Sequence, residues 1–185
     1  MSKIIYLVMC FILDTALNSV FPIDYSSIRM SFISNIGIIG LMFVSRELSF
    51  KDSLIFAFLF GILIDTTHYA YFLLFALSYT ITILIVRIWA NQINNSIPEI
   101  IILGILTIFV KEVVVFIIIR FLGISSMSFL TWFTSRQFLS LIGNIPLIVL
   151  AYYGYDLKNR FEINKDKARR RNEKTLWMKV SNPYE

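Results

Sequence analysis

Between Ser53 and Tyr69 the chain reads SLIFAFLFGILIDTTHY, an apolar stretch long enough to cross most of a bilayer, with one acid, Asp65, near its far end. Gly61 lies four residues before Asp65, so both fall on one face of a helix. A glycine there lets a neighbouring helix backbone approach closely, and a carboxylate on the same face is then shielded from lipid. An acid turned toward lipid costs about 2.5–3.5 kcal/mol on insertion scales, so Asp65 is expected to face protein or water. The plainer reading is that it caps the helix where it meets the headgroups.

The rest of the chain is built the same way. With 57% hydrophobic and 16% charged residues, it lies outside the range of soluble domains. The expected fold is an all-α integral membrane protein of about six transmembrane helices in one compact bundle. Six spans are read: Lys3–Val20 with Asp14 inside it, Ile28–Val44 with a Gly37 and Gly40 stripe, the Asp65 span, Ala70–Trp89, Glu99–Leu122, and Arg136–Tyr155. Asp14, and the lack of a small-residue cleavage site after the first run, argue against a cleaved signal peptide. Pro146, beside Gly143 and Asn144, removes a helix hydrogen bond and is expected to bend the last span.

Charge divides the chain in two. Residues 158–185 carry nine bases and four acids, which is the whole net charge of +5. The sequence therefore reads as a transmembrane domain over 1–157 and a basic cytoplasmic tail over 158–185, with no sign of nucleic-acid binding. With both termini cytoplasmic, thirteen Lys and Arg fall inside (Lys3, Arg46, Lys51, Arg87 and the nine of the tail), against Arg29, Arg120 and Arg136 outside. Arg169, Arg170 and Arg171 admit two readings: binding of anionic lipid, or an ordinary positive-inside stop signal.

Chemistry has few candidates. One cysteine (Cys10) and one histidine (His68) leave no metal site, no nucleophile with its base and no paired catalytic acids. No catalytic residue, cofactor or metal is assigned. Asp14, Asp65, Lys111 and Glu112 are the ionisable residues placed furthest from water. They read either as an ion or proton pathway, or as a structural pair such as Lys111 with Asp65 or Asp14. Gly37, Gly40 and Gly61 form the candidate face for a partner's helix.

At this point the chain resembles a known family, the bacterial rod shape-determining protein MreD in its Gram-positive, low-GC form. The resemblance covers nearly the whole chain through its length and span layout. It rests most narrowly on Phe60-Gly61-Ile62-Leu63-Ile64-Asp65, which looks like that family's Gly-x-x-x-Asp signature in the third span, with Tyr79 in the fourth span, and Asn144 and Pro146 in a kinked last span before a basic tail. Two family features are missing: a glycine shortly after the aspartate and a proline entering the second span.

The resemblance implies a non-enzymatic, multi-pass component of the cell membrane in the cell-elongation machinery. It would bind MreC and, through it, MreB and the cell-wall synthases. It also implies a six-helix fold similar to the substrate-binding subunits of energy-coupling-factor vitamin transporters, and such a subunit is the alternative function. The first span contains only Ala16, without the Ala-x-x-x-Ala pattern that such subunits use for docking.

Overall fold

A computed structural model describes residues 3–20, 32–68, 73–90, 92–93 and 96–181. They form eight α-helices: α1 (Lys3–Val20), α2 (Ile36–Ser45), α3 (Phe50–His68), α4 (Leu74–Ala90), α5 (Ile97–Phe121), α6 (Phe129–Trp132), α7 (Phe138–Gly143) and α8 (Ile145–Ser181). A π-helical turn, Phe133–Gln137, joins α6 to α7. The described residues contain no strand.

Helix starts follow local chemistry. At α3, the Ser49 hydroxyl accepts from the Asp52 amide and donates to the Asp52 carboxylate, a reciprocal cap. At α5, Pro98 occupies the first turn, where no intrahelical donor is needed.

The second helix is the centre of the molecule. All ten residues of α2 are buried, and it packs against α1, α3, α4, α5 and α8. Hydrophobic all round, it fits only a position surrounded by other helices. Around it, α3 and α4 form the most extensive pair, α5 packs on α4, and α8 lies against α1, α2 and α5. The outside is apolar, as on α1, where Ile4 and Ile12 are 59% and 58% exposed. Three stretches are long and apolar enough to cross a membrane: Lys3–Val20, Ile97–Phe121 and Phe138–Arg171.

Several sequence expectations need correction. The second span was expected to be helical from Ile28. Of that stretch, residues 28–31 lie outside the described residues, and 32–35 are not helical. The helix begins only at Ile36, because side chains of other helices take the backbone groups ahead of it. Ten residues rise about 15 Å, roughly half a hydrocarbon core, so α2 does not cross alone. The last span is interrupted beside Pro146. It stops at Asn144 and restarts as α8, with Pro146 exposed in the new first turn. The helix α8 runs from Ile145 to Ser181, so the basic tail read from 158 onward begins within it.

Several arginines and lysines gather around the turn between α2 and α3. Lys3 and Lys158 both reach Glu47 in the turn between α2 and α3, and Arg87 donates to Leu48 O and Ser49 O in the same turn. Arg120, at the far end of α5, donates to Met127 O. Burial pulls the Glu47 carboxyl upward, but hydrogen bonds from Lys158, Tyr155 and Lys3 outweigh this and hold it below the ordinary glutamate value. A depressed carboxyl stabilises the fold above its unfolded value and loses that contribution as pH falls through the folded one. Glu47→Gln is therefore expected to cost about 1–2 kcal/mol near neutral pH. In melting curves the gap from the parent protein should narrow as pH drops below about 4. A gap independent of pH would rule out the charge as its source.

Candidate functional site

The functional candidates converge on the start of α2. Residues 32–35 enter the protein interior without helical structure, and non-helical backbone at membrane depth is tolerated only where protein satisfies its polar groups. Here the amides of Ile33, Ser34 and Asn35 are each met by a side chain from another helix. Ile33 N–H donates to Ser140 Oγ at 3.2 Å, and Ser34 N–H to Asn18 Oδ1 at 2.9 Å. Asn35 N–H donates to Asn144 Oδ1 at 2.9 Å, and the Asn144 amide donates to Ile33 O and Ser140 O, each at 2.7 Å. Asn144 thus recognises the segment from both sides, which is why the chain breaks between α7 and α8 at an asparagine.

Asp14, on α1, completes the cradle. One carboxylate oxygen accepts from the Ser34 hydroxyl at 2.7 Å and from Ile36 N–H at 3.1 Å. It therefore caps α2 from a neighbouring helix, at the end where the helix dipole favours negative charge. Gly37 makes room for it: a Cβ there would stand 3.0 Å from Asp14 Oδ2.

Asp65 repeats the arrangement on the next helix pair. Its two oxygens accept from Phe75 N–H at 2.9 Å and Ala76 N–H at 3.0 Å. Those amides belong to the first turn of α4, which has no intrahelical acceptor for them. Asp65 therefore caps α4 across the α3–α4 contact, and its partner is backbone rather than Lys111. Because asparagine offers one acceptor and turns an NH₂ toward a donor, Asp65→Asn is expected to destabilise nearly as much as Asp65→Leu, by about 1–2 kcal/mol. Thermal melting of both variants checks this, and an Asn variant equal to the parent would refute the two-acceptor cap.

Lys111 and Glu112 are the central charges, 1% and 2% exposed. Their side chains meet at 2.6 Å, and the ammonium also donates to Asn35 Oδ1 at 2.9 Å. Lys111 also lies 5.5 Å from the centre of the Phe75 ring. The expected pairing of Lys111 with Asp65 or Asp14 is thus replaced by its sequence neighbour. Adjacent residues on a helix do not face one another, so spacing gave no hint of it. Asn35 links the ion pair to Asn144, making one chain of contacts from α5 through the start of α2 to the α7–α8 break.

The three glycines read as a partner's face are covered by this chain. Besides Gly37, a Cβ on Gly40 would lie 2.6 Å from Cys10 Sγ, and one on Gly61 would lie 2.4 Å from Ala76 Cα and 2.6 Å from Phe75 O. Arg169, Arg170 and Arg171 lie exposed on the α8 extension. The side chain of His68 lies outside the described residues. Residues missed by sequence reading are Asn18, Ser34, Asn35 and Ser140, all buried, which look like ordinary polar residues in weakly patterned segments. Gln137, on the π-helical turn, is also buried, and neither of its amide atoms has a hydrogen-bond partner among the described residues.

Chemically, this set holds helices in place: its carboxylates, ammonium and amides are engaged with backbone groups and with each other. No family model, curated protein or solved structure matches the chain.

Proposed function

We propose that the chain is a non-enzymatic component of a bacterial cell-elongation machinery of the MreD type. It crosses the cell membrane with about six spans, the second made of α2 together with the non-helical residues before it, keeps both termini in the cytoplasm, and binds MreC, with MreB and the cell-wall synthases reached through it. The supporting observation is the use made of Asp65. The residue that carries the family resemblance caps α4 from α3, so the Gly-x-x-x-Asp element acts as a helix clamp, as a scaffold requires and a catalyst does not. The gathering of Lys3, Arg46, Arg87 and Lys158 around one end, opposite Arg120, favours the cytoplasmic assignment of that end.

Affinity purification of the full chain from its native membrane tests the function. MreC and a cell-wall synthase should co-elute. Recovery of an ATP-binding-cassette pair with a transmembrane coupling subunit would overturn the reading in favour of a vitamin transporter subunit. Orientation is tested by an impermeant thiol reagent on intact cells, with labelling expected at Thr67→Cys and not at Ser181→Cys. The reverse pattern would invert the topology.

A further inference from the structure

From Phe129 to Gly143 the chain is helical throughout, yet its middle is wound differently. Phe133–Gln137 is a π-helical turn, and Phe138 N–H donates to Phe133 O, five residues back rather than four. Such a turn holds one residue more than the α-helical turn it replaces. The helix is anchored on both sides of it. Before the turn, Trp132 is 5% exposed and packs on Phe116 of α5, with ring centres 4.9 Å apart. After it, Ser140 and Asn144 hold the amides of Ile33 and Asn35.

Helical phase shows what the surplus residue does. At about 100° per residue, a plain α-helix would set Ser140 about 80° and Asn144 about 120° around from Trp132. With one residue taken up by the turn, both fall within about 20° of it. The same count brings Gln137 from about 140° to about 40°, so Trp132 stands over Gln137 on the inward side.

This alignment has its cost at Gln137. The residue is 1% exposed, and neither atom of its amide has a hydrogen-bond partner among the described residues. A carboxamide buried with donor and acceptor both unpaired favours any rearrangement that wets it.

We propose that the π-helical turn is a register switch that gates the protein interior. In its second register the turn relaxes to α-helix, and α6 swings by about 100° while α7 and α8 stay in place. The non-helical residues 122–128 let α6 turn without α5. Trp132 then leaves Phe116, the cover over Gln137 is withdrawn, and water reaches the amide from the Arg120 end of the molecule. Each register gives up what the other gains. The closed form keeps the cluster of Phe116, Phe129 and Trp132, with ring centres 4.9 to 5.7 Å apart, and leaves Gln137 dry. The open form reverses both. The switch is independent of the cell-elongation reading.

The test uses the full chain in detergent with Trp132 as its single tryptophan, through Trp89→Phe and Trp177→Phe, and reads quenching by acrylamide. Gln137→Met removes the unpaired amide at similar length. It should cut the quenching constant at least twofold and raise the melting midpoint. Deleting Thr134, exposed in the turn, removes the surplus residue and keeps both anchors in phase. That variant should protect Trp132 as Gln137→Met does, and combining the two changes should protect it no further. Spin labels at Leu130→Cys and Ile142→Cys, both exposed, read the registers directly in a Cys10→Ala background. Two distances about 5 Å apart are expected, and only the shorter one after the deletion. Should the deletion variant not fold, the distances without it decide. A single distance there, or quenching unchanged by Gln137→Met, would overturn the proposal. So would a folded deletion variant whose Trp132 is quenched as in the parent.

Discussion

Lys111→Met is expected to lower stability by about 3–5 kcal/mol, because it leaves the Glu112 carboxylate buried beside an apolar chain. The loss of Asn35's donor adds to the effect, since Asn35 Oδ1 accepts from the same ammonium. Removing both charges should be milder. In Lys111→Met with Glu112→Leu no ion is stranded, and what persists is the unpaired Asn35 oxygen, about 1–3 kcal/mol. Melting in detergent of the single and double variants measures the difference. Equal midpoints would mean that the two charges are not coupled. Pairing Lys111→Met with Asp65→Leu should instead give losses close to additive, because Asp65 is held by the Phe75 and Ala76 backbone amides and Lys111 meets Phe75 only at its ring.

The helical class and the positions of most helices were legible because apolar runs and their punctuation act locally. Lys3–Val20 has the bounds read from the sequence, and Ser96-Ile97-Pro98 opens α5 where a proline start was expected. Asp14, Lys111 and Glu112 were legible as buried charges for a similarly simple reason: ionisable groups are rare in such runs. Their partners were not legible. Asp14 and Asp65 bind backbone amides of helices that follow them, and a backbone donor leaves no mark on residue type. The break at the start of α2 was hidden for the same reason. Ile33, Ser34 and Asn35 continue an apolar helix by composition, and only Asn18, Ser140 and Asn144, more than a hundred residues away in two cases, make the non-helical form cheaper. Glycine spacing showed that close contacts exist but not which helix makes them.

That last ambiguity gives the second large effect, at Gly61. The contact there is backbone against backbone: even one added carbon would lie 2.4 Å from Ala76 Cα and 2.6 Å from Phe75 O. A flexible side chain could turn aside, whereas α4 would have to move as a body. Gly61→Ala is therefore expected at the upper end of ordinary overpacking, about 3 kcal/mol, and Gly61→Leu beyond it, with little folded protein recovered. Moving α4 away also takes the Phe75 and Ala76 amides out of reach of Asp65, so the two sites should not act independently. In the Gly61→Ala background, Asp65→Asn should add little to the loss, since its cap is already pulled open. Gly154→Ala, on the open face of α8, should melt like the parent. The decisive comparison is abundance in the membrane against co-purification of partners. If Gly61→Leu leaves the protein as abundant and as heat-resistant as the parent and only a partner is lost, α4 does not lie against Gly61 as described, and the glycine belongs to an intermolecular surface after all.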